Sequence, residues 1–149
     1  SYIYGYRVDF LGQILFDQID AKSFSRAQWD DIRRKHISLL FQELRLFPEL
    51  TAIENIRLKN NLTHYKTENQ IASLFDLLGI ADRKSYPVGK LSWGQQQRVA
   101  IIRALCQPFD FLFLDEPISH LDDNNGRRSS QTRSRTHCYL HRERFACKL

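Results

Sequence analysis

Apolar and polar positions alternate in blocks along residues 12–114, and the blocks read as short strands separated by amphipathic helices. Residues 12–17 (GQILFD) predict a short strand, and Ser25 with Gln28 has the spacing of a helix capping box at the head of SRAQWDDIRRK. Residues 36–41 (HISLLF) form a compact apolar run consistent with a buried strand, and the polar pair Gln42 and Glu43 follows at once. Thr51 with Glu54 caps a helix through IENIRLK. Thr67 with Gln70 caps another through IASLFDLL, which Gly79 can close in a left-handed turn. Ser92 and Gln95 repeat the capping spacing before QQRVAIIRALC, whose Val99, Ile102, Ala104 and Leu105 make an apolar stripe, and Pro108 stops that helix. The run Phe109, Phe111, Leu112, Phe113, Leu114 is long enough for a central strand of a parallel sheet, since such strands are hydrophobic on both faces. Asp115 and Glu116 emerge at its carboxyl end.

At 149 residues the chain is about one domain long, and its 42% hydrophobic and 26% charged residues are ordinary for a soluble globular protein. No apolar stretch approaches the roughly 18 residues of a membrane span, and the first ten residues lack the basic-then-apolar order of a signal peptide, so the sequence predicts a cytosolic chain. Cys106, Cys138 and Cys147 form no CxxC pair, which argues against both a disulfide framework and a zinc site. The net charge of +5 is local: residues 1–122 carry 15 basic and 15 acidic side chains, whereas residues 123–149 carry seven basic against Asp123 and Glu143. The chain is two compositions joined near Asp123, and the tail shows neither alternation nor a sustained apolar stripe, so it predicts no strand.

Two features carry chemistry. In open α/β sheets ligands lie outside the carboxyl ends of the strands, so Asp115 is placed to hold a metal and Glu116 to position an attacking water. Paired acids also fit a solvated loop after a buried strand. LSWGQ (residues 91–95) opens a helix, where unpaired N–H groups, the positive dipole end and the Ser92 hydroxyl suit a phosphate. The same residues fit an ordinary capped helix.

Their order decides between these readings. LSxGQ, QRVAIIRAL, a four-residue apolar strand, DEP and S-x-L-D follow in unbroken succession, and that series strongly resembles the ATP-binding cassette ATPases, the motor subunits of ABC transporters. The resemblance spans roughly residues 12–122. It implies an α/β fold, a partial P-loop NTPase (RecA-like) core with an inserted α-helical signature subdomain. It implies ATP and Mg2+ as ligands, with Asp115 as the Walker B aspartate at the metal and Glu116 as the catalytic glutamate. Gln42 matches the Q-loop glutamine that senses metal and water, Ser92, Gly94 and Gln95 the signature that reaches the ATP of a second cassette, and Asp122 the D-loop aspartate. The implied partners are a second ATPase subunit, as a homodimer or otherwise, and membrane-spanning permease subunits, with the cassette peripheral on the inner face of the cell membrane; nucleic acid is not favoured. The run ELRLFPELTAIENI resembles the region where transporter cassettes meet their membrane subunits, and the whole is most similar to lipoprotein-releasing and macrolide-efflux cassettes.

Three departures qualify the match. Trp93 stands where the family has glycine, and its ring restricts how closely that backbone approaches phosphate. No G-x-x-x-x-G-K-[ST] loop occurs, so the chain is expected to begin just after it; Tyr2, Tyr4 and Tyr6 take no adenine-stacking role. His120 reads as a variable surface residue, and His137 and His141 do not inherit the family's switch histidine. The expected division is a partial core at 1–42, a helical subdomain with Q-loop and signature at 43–106, the Walker B strand and D-loop at 107–122, and a basic tail at 123–149, read as out-of-frame or foreign sequence. As written the chain is expected to be an inactive fragment. A docking regulator offering LSWGQ, and a nucleic-acid binder acting through the basic tail, are the alternatives.

Overall fold

The computed structural model describes Gly5 and residues 11–115, 136–140 and 145–148. Strand β1 (Gln13–Phe16) turns back into the two-residue β2 (Ile19–Asp20), with both turn residues, Asp17 and Gln18, at positive φ. Helix α1 (Arg26–Lys35) leads into β3 (Ile37–Leu40), α2 (Ala52–Asn60), α3 (Glu68–Leu77), α4 (Trp93–Leu105) and β4 (Phe111–Asp115). Each of the four helices starts at the Ser or Thr predicted from the capping spacing, with both reciprocal hydrogen bonds formed. Gly79 follows α3 at φ +64, the left-handed closure that glycine permits without a Cβ penalty.

Strand β3 pairs parallel with β4 in the register Ile37↔Phe111 to Leu40↔Leu114. Apart from Ser38 and the terminal Asp115 both strands are apolar, as a covered parallel pair requires, and α1 and α4 pack against β3. The buried hydroxyl of Ser38 donates to the Ala104 carbonyl of α4 at 2.7 Å, so the one polar residue of β3 is satisfied and ties strand to helix. At the other end of the pair, the His36 carbonyl accepts from both the Asp110 and Phe111 N–H groups, which is why the strand starts at Phe111 rather than Phe109.

The tail corrects the sequence reading. Thr136–Leu140 forms β5, antiparallel to β4, and Phe145–Lys148 forms β6, antiparallel to β1. The described strands thus make two three-stranded sheets, ordered β2-β1-β6 and β3-β4-β5. Pairing is made by backbone groups and decided by what lies alongside, so short segments without alternation can take it up.

The core falls into connected clusters. Between the helices lie Ile53 and Ile56 of α2, Ile71 and Phe75 of α3, and Val99 and Ile102 of α4, with Ile80, Val88 and Cys106. Ile37, Phe111 and Phe113 pack between the parallel strands and α1, and Trp29 closes over Ile14 and Ala21. Leu40, Leu44 and Ala100, with Leu114 against them, join the end of β3 to α4.

Candidate functional site

The parallel pairing places the carboxyl ends of β3 and β4 side by side. Two residues beyond Leu40 stands Gln42, exposed; one residue beyond Leu114 stands Asp115, the last residue of β4. Gln42 and Asp115 therefore share one end of the sheet. Glu116 and Asp122 lie outside the described residues. The backbone after Gln42 does not run on as a strand: the Leu44 N–H returns to the Phe41 carbonyl at 3.0 Å, and Leu44 and Arg45 both adopt positive φ, +55 and +47. This tight turn keeps the Gln42 side of the chain at the sheet end.

Ser92, Gly94 and Gln95 are elsewhere. The Ser92 hydroxyl accepts from the Gln95 N–H at 3.3 Å, and the Gln95 side-chain oxygen accepts from the Ser92 N–H at 3.0 Å, so the pair first serves the helix as its cap. Ser92, Trp93 and Gly94 are exposed, and no acidic residue sits in the first turn of α4 to offset its positive end. A Cβ at Gly94 would meet nothing within 4 Å, so the fold does not demand glycine there; the bare backbone is open to approach from outside. Trp93, 48% exposed, stands beside that opening. Ala100 and Arg103 of α4 touch the Gln42 turn, and the signature turn is about 10–15 Å further back along the same helix at 1.5 Å per residue. One chain does not bring the two sets together.

Residues that the sequence reading passed over surround the Gln42 turn. Arg103 donates from Nη1 to the Arg45 carbonyl at 2.7 Å and from Nη2 to the Leu44 carbonyl at 2.5 Å. Arg45 stacks its guanidinium over the Phe41 ring at 3.8 Å. A groove of about 290 Å³ opens here, lined among others by Phe41, Arg45, Phe47, Leu58, Lys59 and Arg103. Burial pushes Lys59 below its ordinary value, helped by the charge of Arg103, and burial lowers Arg103 as well. Phe47 and Leu58 stay about half exposed at 53% and 48%. The groove thus combines apolar surface with partly desolvated cations. Asn55, wholly buried, holds the next stretch of loop through bonds with the Phe47 N–H and the Phe47, Leu50 and Thr51 carbonyls. Sequence periodicity could not find these residues, because their partners are backbone groups brought near by the fold.

Among the described residues no group of three or more His, Cys, Asp or Glu is placed to hold a metal alone. Mg2+ takes one or two protein ligands and completes its shell with water and phosphate, so Asp115 and Gln42, whose backbones share one end of the sheet, are of residue types that suit such a partial set.

The class these features define is an α/β cassette with a capped signature helix set apart from the sheet end. The ABC transporter family model matches residues 2–119, and the chain belongs to that family. The lipoprotein-releasing system ATP-binding protein LolD of Syntrophotalea carbinolica (strain DSM 2380 / NBRC 103641 / GraBd1) is 37% identical over 129 residues, 85% of this chain and 57% of that protein. The uncharacterized ABC transporter ATP-binding protein YvrO of Bacillus subtilis (strain 168) is 36% identical over 135 residues, covering 89% and 57%. Among solved structures, a dimeric post-hydrolysis state of the ATP-binding cassette MJ0796 bound to ADP and Pi superposes with a TM-score of 0.60 at 30% identity, covering 74% of this chain and 51% of that one. The chain spans about half the length of the relatives it matches. The α/β cassette fold expected from the motifs is thereby the fold of this chain.

Proposed function

We propose that this chain is part of an ATP-binding and ATP-hydrolysing subunit of an ABC transporter, which couples hydrolysis to transport across a membrane. The observation that carries this is the separation of two sets of residues on one scaffold. Gln42 and Asp115 lie at the sheet end, while Ser92 and Gly94 face outward from the far end of α4, so a complete site needs two cassettes. Asp115 with Gln42 would hold Mg2+, which when bound would supply positive charge at the phosphates; Glu116 accepts the proton of the attacking water, Ser92, Gly94 and Gln95 bind phosphate of the ATP held by the second copy, and Asp122 lies at the contact between them. The cassette works from the cytoplasmic side, and residues 43–106 form the subdomain that moves against the core. Its groove at Phe47, Leu58, Lys59 and Arg103 receives a short helix of the permease with apolar and acidic side chains, matched to exposed ring surface and two cations. Among the described residues no helix is long and apolar enough to cross a membrane.

The test is ATP hydrolysis by the protein assembled with its permease in liposomes. Glu116→Gln is expected to cut turnover by about 10² to 10⁴ while nucleotide still binds. Mixing that variant with Ser92→Arg chains, each crippling a different half of a site, should leave at most one intact site per pair. A Glu116→Gln protein that hydrolyses ATP at the wild-type rate would remove the assignment.

A further inference from the structure

The turn after Gln42 is strained and is held from outside. Leu44 and Arg45 both sit in the left-handed region, which residues other than glycine rarely adopt, and the two are consecutive. Within the turn the bonds are local, Leu44 N–H to the Phe41 carbonyl and Arg45 N–H to the Glu43 carbonyl, with the Arg45 guanidinium over the Phe41 ring and 3.8 Å from the Glu43 carboxylate. From outside the turn, the Arg103 side chain supplies hydrogen bonds. The Arg103 guanidinium spans the carbonyls of the same two residues, Arg45 from Nη1 and Leu44 from Nη2. A planar fork can serve two successive carbonyls at once; an ammonium is a single point. Ala100, one turn earlier on α4, packs against buried Leu44 and Leu40, so apolar contact and hydrogen bonds act on the same face of the helix.

We propose that Arg103 is a positioning residue: it locks the turn carrying Gln42 to the helix that begins at Ser92, so that a displacement of α4 is passed to Gln42. Arg103 also lines the groove at Lys59 and Leu58, so a partner seated there bears on the same lock. The catalytic consequence rests on the reading of Gln42 given above; the lock itself rests on the geometry alone.

The test uses Arg103→Lys, which keeps the charge and loses the fork. On the full chain, the Leu44 and Arg45 amides are expected to exchange with solvent at least about tenfold faster, while amides inside α3 keep their wild-type rates. Wild-type exchange in the turn overturns the proposal. Should the variant lose its cooperative melt, Arg45→Gly is added to relieve one strained φ; recovery of the melt supports the lock, and no recovery overturns it. In the assembled transporter, Arg103→Lys is expected to lower kcat about tenfold with KM for ATP unchanged, whereas wild-type kcat overturns the coupling. If the wild-type assembly hydrolyses no ATP, the reading of Gln42 falls, and the exchange rates still decide the lock.

Discussion

Asn55 shows how a single polar side chain can organise a loop. Fully buried in α2, it accepts from the Phe47 N–H at 2.8 Å and shares its amide hydrogens among the carbonyls of Phe47, Leu50 and Thr51. Asn55→Ala takes the acceptor from the Phe47 N–H in a part-buried place, while the Phe47, Leu50 and Thr51 carbonyls keep the backbone N–H groups of Leu50, Val88 and residue 55, and urea unfolding should register a loss of about 1–3 kcal/mol. Cys106 illustrates the opposite case, a buried group with nothing to do. Its thiol is fully covered between α4 and the helical core, and burial pushes it up to about 11. In a chain with Cys138→Ser and Cys147→Ser, Cys106 should stay unmodified by a thiol reagent at pH 8 in the native state and react at once in denaturant. Rapid native-state labelling would show that the α2–α3–α4 core opens readily. At this scale the sequence displayed Ser92 by its capping spacing, Asp115 by its place after an apolar run and Gln42 by the family resemblance, and concealed Asn55 and Arg103 because only folding brings their acceptors within reach.

The helices were the most legible elements. All four begin at a Ser or Thr whose N3 partner is Gln or Glu, so the start signal is local and survives in any context. Removing it should cost accordingly: Ser25→Ala is expected to destabilise by about 0.5–2 kcal/mol in thermal or urea unfolding. The cap of α2 adds a pH dependence. Hydrogen bonds from the Thr51 hydroxyl and N–H hold the Glu54 carboxyl below its ordinary value of 4.5. A folded-state value below the unfolded one stabilises the fold above about pH 4.5, and the contribution is lost as the pH falls through the folded value. The stability difference between wild type and Thr51→Ala should therefore shrink between pH 6 and pH 3; a constant difference would mean that the carboxylate adds nothing. Strands were less legible. β3 and β4 announce themselves as compact apolar runs, whereas β2 has only two residues and β5 and β6, though as long as β4 and β3, carry no period of their own.

For the whole molecule, the arrangement of the strands carries the most weight. β4 is flanked by β3 on one side and β5 on the other, so its backbone is paired along both edges. Deleting residues 136–149 would strip the β5 side of β4 and the β6 side of β1, exposing apolar strand edges. The shortened chain is expected to self-associate at micromolar concentration, as light scattering after size exclusion would read; a monomer as well behaved as the full chain would show that the tail pairing contributes little. Composition and the end of the motif series suggested a separate fate for residues 123–149, seven of which are basic. Composition speaks to solubility and partners and says little of backbone pairing, which is why the tail was misread as strandless.

By itself the sequence determined what is local or ordered along the chain: where helices start, which two strands are buried, and the succession of motifs that marks the family. Those depend on neighbours a few residues apart, and the physics of capping and burial reads them directly. Tertiary structure decided what depends on distant residues meeting. The parallel register sets Gln42 beside Asp115, the length of α4 holds Ser92 away from both, and Arg103 reaches across 58 residues of chain to the carbonyl of Arg45. No spacing encodes such contacts, because a backbone carbonyl looks the same at every position until the fold puts a donor in front of it.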